Sequence, residues 1–358
     1  MGVRSSSCYT ARMAIARKRK EEAVEATIEA PEMEQLENSL RPVSLQDYIG
    51  QSAIKGHLLV YIEAARKRSE PLGHVVLHGP PGLGKTTLAH IIAREMQSQI
   101  RMTSGPAIEK PGDLASILTN LQAGDVLFID EIHRLRPAIE EVLYSAMEDF
   151  ALDIVIGKGP SARSMRLDLQ PFTLVGATTK IGAMSMPLRD RFVHNFKLSF
   201  YDIPDMQRIV DRTASILNVP MKPDASYRIA ASSRSTPRIA NRLVRSIRDF
   251  AQVNDEEMIG LDRVQSTLHA LGIDDKGLDA TDRQILRIII EKFSGGPVGL
   301  STLAAALADE QETLEDVYEP YLLQCGYIQR TPKGRVVTQH AYTLLGLDAP
   351  ADVHAKLF

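Results

Sequence analysis

The sequence predicts an α/β domain with a parallel sheet, followed by a small all-helical domain and a C-terminal winged-helix domain. Three observations carry this. From Leu36 to about Tyr201, short apolar runs alternate with helical patterns, as in a sheet covered by helices on both faces. After Pro204 the texture becomes helical, broken by prolines and polar residues. Beyond an acidic, glycine-containing linker at Gly272 to Gly277, three helical stretches lead into Gly326 to Thr338, the order of a winged helix-turn-helix.

Each element has its own local reason. Val75, Val76 and Leu77 form a short apolar strand leading into Gly79, and Thr86 to Glu95 reads as a helix with Leu88, Ile91 and Ile92 on its apolar face. Val126 to Asp130 and Phe172 to Ala177 read as buried strands. Leu152 to Ile156 and Met165 to Leu169 alternate around Gly157-Lys158-Gly159-Pro160, which predicts a β-hairpin. Helices follow at Met206 to Leu217, Ala225 to Ala231 and Pro237 to Gln252, then at Thr281 to Phe293, Ser301 to Ala308 and Gln311 to Cys325. The expected limits are a disordered N-terminal arm over 1–34, the α/β domain over 35–201, the helical domain over 202–273 and the winged helix over 274–358.

The chain has 358 residues, 44% of them hydrophobic, enough for several cores. No apolar run approaches the roughly 18 residues of a membrane helix. Two cysteines, Cys8 and Cys325, make neither a disulfide framework nor a zinc site, so a cytoplasmic location is expected. With a net charge of −3, any nucleic-acid contact must come from a local patch. Arg4, Arg12, Arg17, Lys18, Arg19 and Lys20 with no acid among them resemble a transit peptide, but the acids that follow from Glu21 favour a plain polar arm. Met33 is an alternative start.

Gly79-Pro80-Pro81-Gly82-Leu83-Gly84-Lys85-Thr86 fits G-x-x-x-x-G-K-[ST] between a strand and a helix. Gly79, Gly82 and Gly84 allow the backbone amides and the helix N-terminus to face phosphate oxygens. Lys85 would reach the β- and γ-phosphates of ATP, and Thr86 would place its hydroxyl on Mg²⁺. Asp130 and Glu131 end an apolar strand, where α/β sheets bind ligands. Asp130 would organise the Mg²⁺ shell, and Glu131 would activate the attacking water. Thr178 and Thr179, ending another strand, would hydrogen-bond the γ-phosphate or that water; a simple cap is their alternative.

Three segments then carry a resemblance. Gly79 to Thr87, Asp125-Val126-Leu127-Phe128-Ile129-Asp130-Glu131-Ile132-His133-Arg134-Leu135, and Thr236-Pro237-Arg238-Ile239-Ala240-Asn241-Arg242-Leu243 together resemble the RuvB family of bacterial Holliday-junction branch-migration ATPases, which are AAA+ proteins. The resemblance runs from about Leu40 to Gly346 and includes Gly295-Gly296-Pro297-Val298-Gly299-Leu300 and Arg330-Thr331-Pro332-Lys333-Gly334-Arg335. It implies an α/β P-loop AAA+ ATPase domain, a helical lid and a winged-helix head, acting as a homo-hexamer on the duplex DNA arms of Holliday junctions in recombination and DNA repair, with RuvA and the RuvC resolvase. It further implies that Arg191 is an arginine finger reaching a neighbouring subunit's site, with Arg189 as its rival, and that Arg238 is a second sensor of the γ-phosphate. By the same resemblance Leu40, Arg41, Gly82, Gly84, Thr87, Tyr201 and, in a further segment, Glu148, Asp149 and Phe150 belong to the nucleotide site.

The hairpin resembles the one by which the family grips RuvA, and its alternation places Ile154, Ile156, Met165 and Leu167 on one apolar face; packing into the chain's own core is the alternative. Arg330, Lys333 and Arg335 surround a turn, so three cations are expected to project from one wing and contact DNA phosphates. Two departures stand out: Val193 follows Phe192 where the family usually has glycine, and Ser235 precedes Thr236 where glycine is common. The rival functions are another AAA+ machine, such as a clamp loader or protein remodeller, and a nucleotide-regulated DNA-binding switch without motor activity.

Overall fold

The structure is a computed structural model and describes residues 39–156 and 163–350, with backbone alone at 154–156 and 163–164. The expected polar arm over 1–34, Cys8, Met33 and residues 157–162, where the hairpin turn is expected, lie outside the described residues. Two compact units divide at Pro42 and Val43, and everything below concerns the second, Val43–Phe358, unless stated otherwise.

Five strands form one parallel sheet in the order β2-β3-β6-β1-β7, where β1 is Val75–His78, β2 Ile100–Ser104, β3 Val126–Asp130, β6 Thr173–Thr178 and β7 His194–Lys197. Both faces are covered, which is why its central strands read as unbroken apolar runs rather than alternating ones. In β3, Val126 and Phe128 join the core on one face, while Leu127 and Ile129 join the core on the other. The first core collects α1 (Ser52–Arg68), α2 (Lys85–Glu95) and the helices that follow the sheet; the second collects α3 (Pro111–Thr119), α4 (Pro137–Glu148) and the hairpin base.

The hairpin pairs β4 (Ala151–Ile156) with β5 (Arg163–Asp168); the first strand begins one residue before the predicted one, and the second begins two residues earlier and ends one earlier. Its register sets Leu152 opposite Leu167 and Ile154 opposite Met165, so these residues and Ile156 share one face. After a short helix α5 (Met186–Asp190) and β7, the lid consists of α6 (Ile203–Ile216), α7 (Pro223–Ala231), α8 (Pro237–Val253) and α9 (Leu261–Ala270). Prolines at the first turns of α6, α7 and α8 start each helix where their missing N–H costs nothing.

The head has its own core and comprises α10 (Ala280–Phe293), α11 (Leu300–Leu307), a helix over 311–324 (α12) and a wing of β8 (Ile328–Thr331) and β9 (Gly334–Val337), closed by α13 (Gln339–Leu345). Val298 adds a backbone bridge to the wing, exchanging hydrogen bonds with Arg335 in both directions at 3.0 and 2.8 Å. The expected single α-helix from Gln311 to Cys325 differs in one respect: Leu314–Tyr318 is a π-helical turn between two α segments. A residue pattern of period 3.6 does not reveal one widened turn.

Candidate nucleotide and DNA sites

The phosphate loop lies between β1 and α2, at the C-terminal edge of the sheet. Its glycines are required by space as well as by dihedral angle: Gly79 and Gly84 have φ of 142° and 97°, and a Cβ on them would lie 2.5 Å from the Leu198 carbonyl oxygen and 2.8 Å from the Tyr48 hydroxyl. Gly84 caps α2 without a side chain, leaving the first amides of the helix to an anion. Lys85 Nζ donates to the carbonyls of Gly79 and Pro80 at 2.7 and 2.9 Å. Burial lowers its pKa to about 8, opposed by the Asp130 carboxylate and reinforced by Arg238. One acid and one further cation thus act on the same ammonium.

Asp130 ends β3 and accepts the Glu131 amide at 2.9 Å. Glu131 turns through a left-handed conformation, φ 47°, and its half-exposed carboxylate meets Arg134 at 3.1 Å. Thr178 ends β6 beside them. Its Oγ1 accepts the Lys180 amide at 2.9 Å and lies 2.9 Å from His133 Nδ1. Burial holds His133 below its ordinary pKa, and its Nδ1 shares one hydrogen bond with the Thr178 hydroxyl, the ring tautomer deciding which atom donates. The Thr178 hydroxyl is thus used inside the chain, and half-buried Thr179 is the adjacent hydroxyl at the strand end.

From the lid, α8 begins against the loop. The Arg238 amide donates to the Gly82 carbonyl at 3.4 Å, and a Cβ on Gly82 would sit 3.3 Å from the Arg238 Cβ. Tyr201 ties lid and loop together: its amide donates to the Ser235 carbonyl at 3.1 Å, and its hydroxyl lies 2.9 Å from that of Tyr48 and 3.2 Å from the Leu83 carbonyl. Tyr48 donates to Leu83 at 3.1 Å, leaving the Tyr201 proton for the Tyr48 oxygen. Burial drives the Tyr201 hydroxyl up to about 12, so it stays a donor at any physiological pH. Gln51 adds a two-way amide pairing with Ser199 at 2.6 and 3.2 Å. Sequence reasoning named Tyr201 but missed Tyr48, Gln51 and His133, whose roles arise from pairings across as many as 153 positions.

Lys85, Asp130, Glu131, Thr179 and Arg238 converge at this edge; Arg191 joins a different group. It caps α5, pairs with Glu148 at 3.0 Å, donates to the Pro187 carbonyl at 2.9 Å and lies over the Tyr144 ring at 4.5 Å. Tyr144, which the sequence did not single out, is itself held by Glu140 and Ser185 at 2.9 and 3.0 Å. Asp149 pairs with Arg166 of the hairpin at 2.7 Å, and Phe150 packs edge-on against Phe172. The structure therefore groups Glu148, Asp149 and Phe150 with Arg191 and the hairpin. Leu40 and Arg41 belong to the separate N-terminal unit.

In the head, the picture of three projecting cations needs correction. Arg330 and Arg335 both fork onto the buried Glu319 carboxylate, at 2.8 to 3.1 Å. Burial pushes that carboxyl up, but the two guanidinium partnerships outweigh it and hold it below its ordinary value. Arg335 is only 16% exposed at its side chain and Arg330 50%, whereas Lys333 stands at the exposed tip. A buried acid forming an ion pair was not legible, because Glu319 sits in an ordinary helical stretch.

Of the two departures, Ser235 is strained in the way its position suggests, with φ 53° beside Arg234 at φ 52°. Val193 has no positive φ and is 71% exposed, so the chain accommodates it without strain.

Comparison with known proteins then settles the family. Residues 40–198 match the Holliday junction DNA helicase RuvB P-loop domain, 201–274 the RuvB AAA lid domain and 275–346 the RuvB C-terminal winged helix domain. A point mutant of Thermotoga maritima RuvB is 53% identical, covering 87% of this chain and 99% of its own at a TM-score of 0.82. The chain belongs to the RuvB family. Another Thermotoga maritima RuvB structure, described as a Holliday junction branch migration motor, is 52% identical over 87% of this chain and 100% of its own, with a TM-score of 0.81. As a RuvB family member the chain is a P-loop AAA+ ATPase, and the parallel sheet, lid and winged helix are the family's three parts in order. Among the described residues no helix is long and apolar enough to cross a membrane.

Proposed function

We infer that the protein is an ATP-dependent branch-migration motor acting on the duplex arms of Holliday junctions in recombination and repair. The observation that carries this is the convergence of a lid arginine, Arg238, and the strand-end acid Asp130 on one phosphate loop, in a chain whose head is a winged helix of the RuvB family. The loop glycines, the uncapped start of α2 and Lys85 fit a triphosphate. Thr86 and Asp130 are hard oxygen donors suited to Mg²⁺, which would neutralise charge on the phosphates. Lys85 would draw the β- and γ-oxygens, Glu131 would take the proton of the attacking water, and Thr179 would orient that water.

Arg191 is the finger in this reading, and its position supports action in trans: Glu148, Tyr144 and the Pro187 carbonyl hold it, in a group with Asp149 and Phe150. Tyr201 would frame the adenine end. Completion of each site by a neighbour calls for a ring, for which six subunits is the family's implied number. The hairpin face of Ile154, Ile156, Met165 and Leu167 would dock on RuvA, with RuvC joining at the junction. Arg330 and Lys333 are the exposed phosphate contacts, and Arg335 supports them through Glu319. The domain limits we propose are 35–201, 202–273 and 274–358, in a cytoplasmic protein.

Subunit mixing tests the shared site. Arg191→Ala supplies an intact Glu131, and Glu131→Gln supplies an intact Arg191, so equimolar mixtures should regain a substantial part of ATP turnover that neither variant shows alone. Mixtures as inactive as the separate variants would contradict a finger supplied in trans.

A further inference from the structure

The strand that ends at the nucleotide also reaches the head. Lys180 follows Thr178 and Thr179, and its amide is bonded to the Thr178 hydroxyl. Its ammonium lies 3.2 Å from both Glu315 and Asp316. These two acids sit on the π-helical turn Leu314–Tyr318. A π turn has more residues per turn than an α-helix, so neighbouring side chains diverge less and both can meet one ammonium. Glu315 faces a second cation as well, Arg330 Nη2 at 3.8 Å. One carboxylate therefore lies between a lysine anchored at the ATP site and an arginine of the wing.

An ionic joint between lid and head differs in kind. Arg234 of the lid donates Nη2 to Asp279 and Asp282 at 2.6 and 2.5 Å and Nε to the Gly277 carbonyl at 2.9 Å, and its guanidinium faces the Tyr321 ring at 5.7 Å. That clamp is nine-tenths buried on the arginine side, whereas Lys180, Glu315 and Asp316 are each 25–34% exposed at their side chains. A partly hydrated ammonium pair is weak and easily exchanged; a buried, multiply bonded guanidinium is not. Arg234 joins lid and head firmly, whereas the Lys180 contact between the head and the ATPase body can yield.

We propose that Lys180 is a positioning residue that couples the ATP site to the wing, with Glu315 held by Lys180 in one nucleotide state and released onto Arg330 in another. Arg330 keeps its Nε and Nη2 bonds to Glu319; held by Lys180, Glu315 leaves the exposed remainder of that guanidinium to a DNA phosphate, and released, it competes with that phosphate. The coupling rests on the reading of the wing as a DNA contact, so the test has one arm without DNA.

In that arm the full-length protein is treated with a carbodiimide, which joins an amine to a touching carboxylate with loss of water, and the Lys180–Glu315 and Lys180–Asp316 products are quantified by mass spectrometry. Yields with ADP and with a non-hydrolysable ATP analogue should differ at least threefold; equal yields overturn the proposal. In the second arm, duplex binding is measured by fluorescence anisotropy. Lys180→Gln should weaken binding about threefold or more, and adding Glu315→Gln should restore it, because the competitor of Arg330 is then neutral. Independent effects of the two substitutions would overturn the exchange. If wild-type protein shows the nucleotide-dependent cross-link but binds no duplex, the DNA role of the wing fails while the coupling of Lys180 to the head stands.

Discussion

At the scale of single residues, the candidate nucleotide site is a balance of charge around a buried lysine. Lys85 is the clearest case: burial brings its pKa to about 8, and a bound polyphosphate would raise it again. Binding of ATP at pH 8 should therefore take up about half a proton at this group, and the uptake should fade as the pH drops toward 7, where the lysine is already charged. Calorimetry in buffers of different ionisation enthalpy reads this directly; no buffer dependence at pH 8 would refute it. Ser235 offers a test of strain. It holds φ at 53° where glycine is at ease, so Ser235→Gly should raise stability by about 0.5–1 kcal/mol in urea unfolding. Its carbonyl bond from Tyr201 is a backbone contact and survives the change. The loop, Asp130 and Glu131 were readable because each motif is contiguous and its chemistry is local. Tyr48, His133 and Tyr144 were not, since an isolated aromatic or histidine gives no sign of a partner far along the chain.

At the scale of elements, strands and lid helices were legible to within a few residues, because covered strands and proline-started helices leave strong local patterns. The hairpin shows where such patterns stop being sufficient. Alternation placed its apolar residues on one face, but could not tell core from partner surface, and the structure divides them. Leu152 is 1% exposed in the core behind the sheet, and Leu167 packs against that core; Met165 is 47% exposed. Leu152→Ala should cost about 2–5 kcal/mol, whereas Met165→Ala should stay within about 0.5 kcal/mol. Comparable losses from both in denaturant titrations would mean that the outer hairpin also packs internally.

The Arg234 clamp carries a pH signature of its own. Burial raises the Asp282 carboxyl to about 7 against the pull of Arg234, so between about pH 4 and 7 the folded state holds a proton that the unfolded state has released. Stability should accordingly fall as pH rises through that window. Asp282→Asn should remove this component of the slope, visible as a difference between the two unfolding profiles; parallel profiles would show that Asp282 titrates normally.

At the scale of the whole molecule, the three family parts form a chain of contacts from nucleotide to wing. Arg238 and Tyr201 bind the lid to the loop, Arg234 binds the head to the lid, and Lys180 links the strand end to the head. In the proposed motor, hydrolysis would change the charge that Arg238 meets, and a lid clamped to the head would transmit the resulting movement. The domain order was readable from texture alone. The ionic joints were not, because they pair residues of ordinary helices and loops whose neighbours are set by the tertiary fold.

The most direct test is a synthetic four-way junction with labelled arms, incubated with the protein, the junction-binding partner, Mg²⁺ and ATP. The motor account predicts ATP-dependent separation into duplex products, and a loss of at least about a hundredfold in Glu131→Gln, since activation of the attacking water fails. Separation by Glu131→Gln at the wild-type rate, or duplex products formed equally well without ATP, would contradict it.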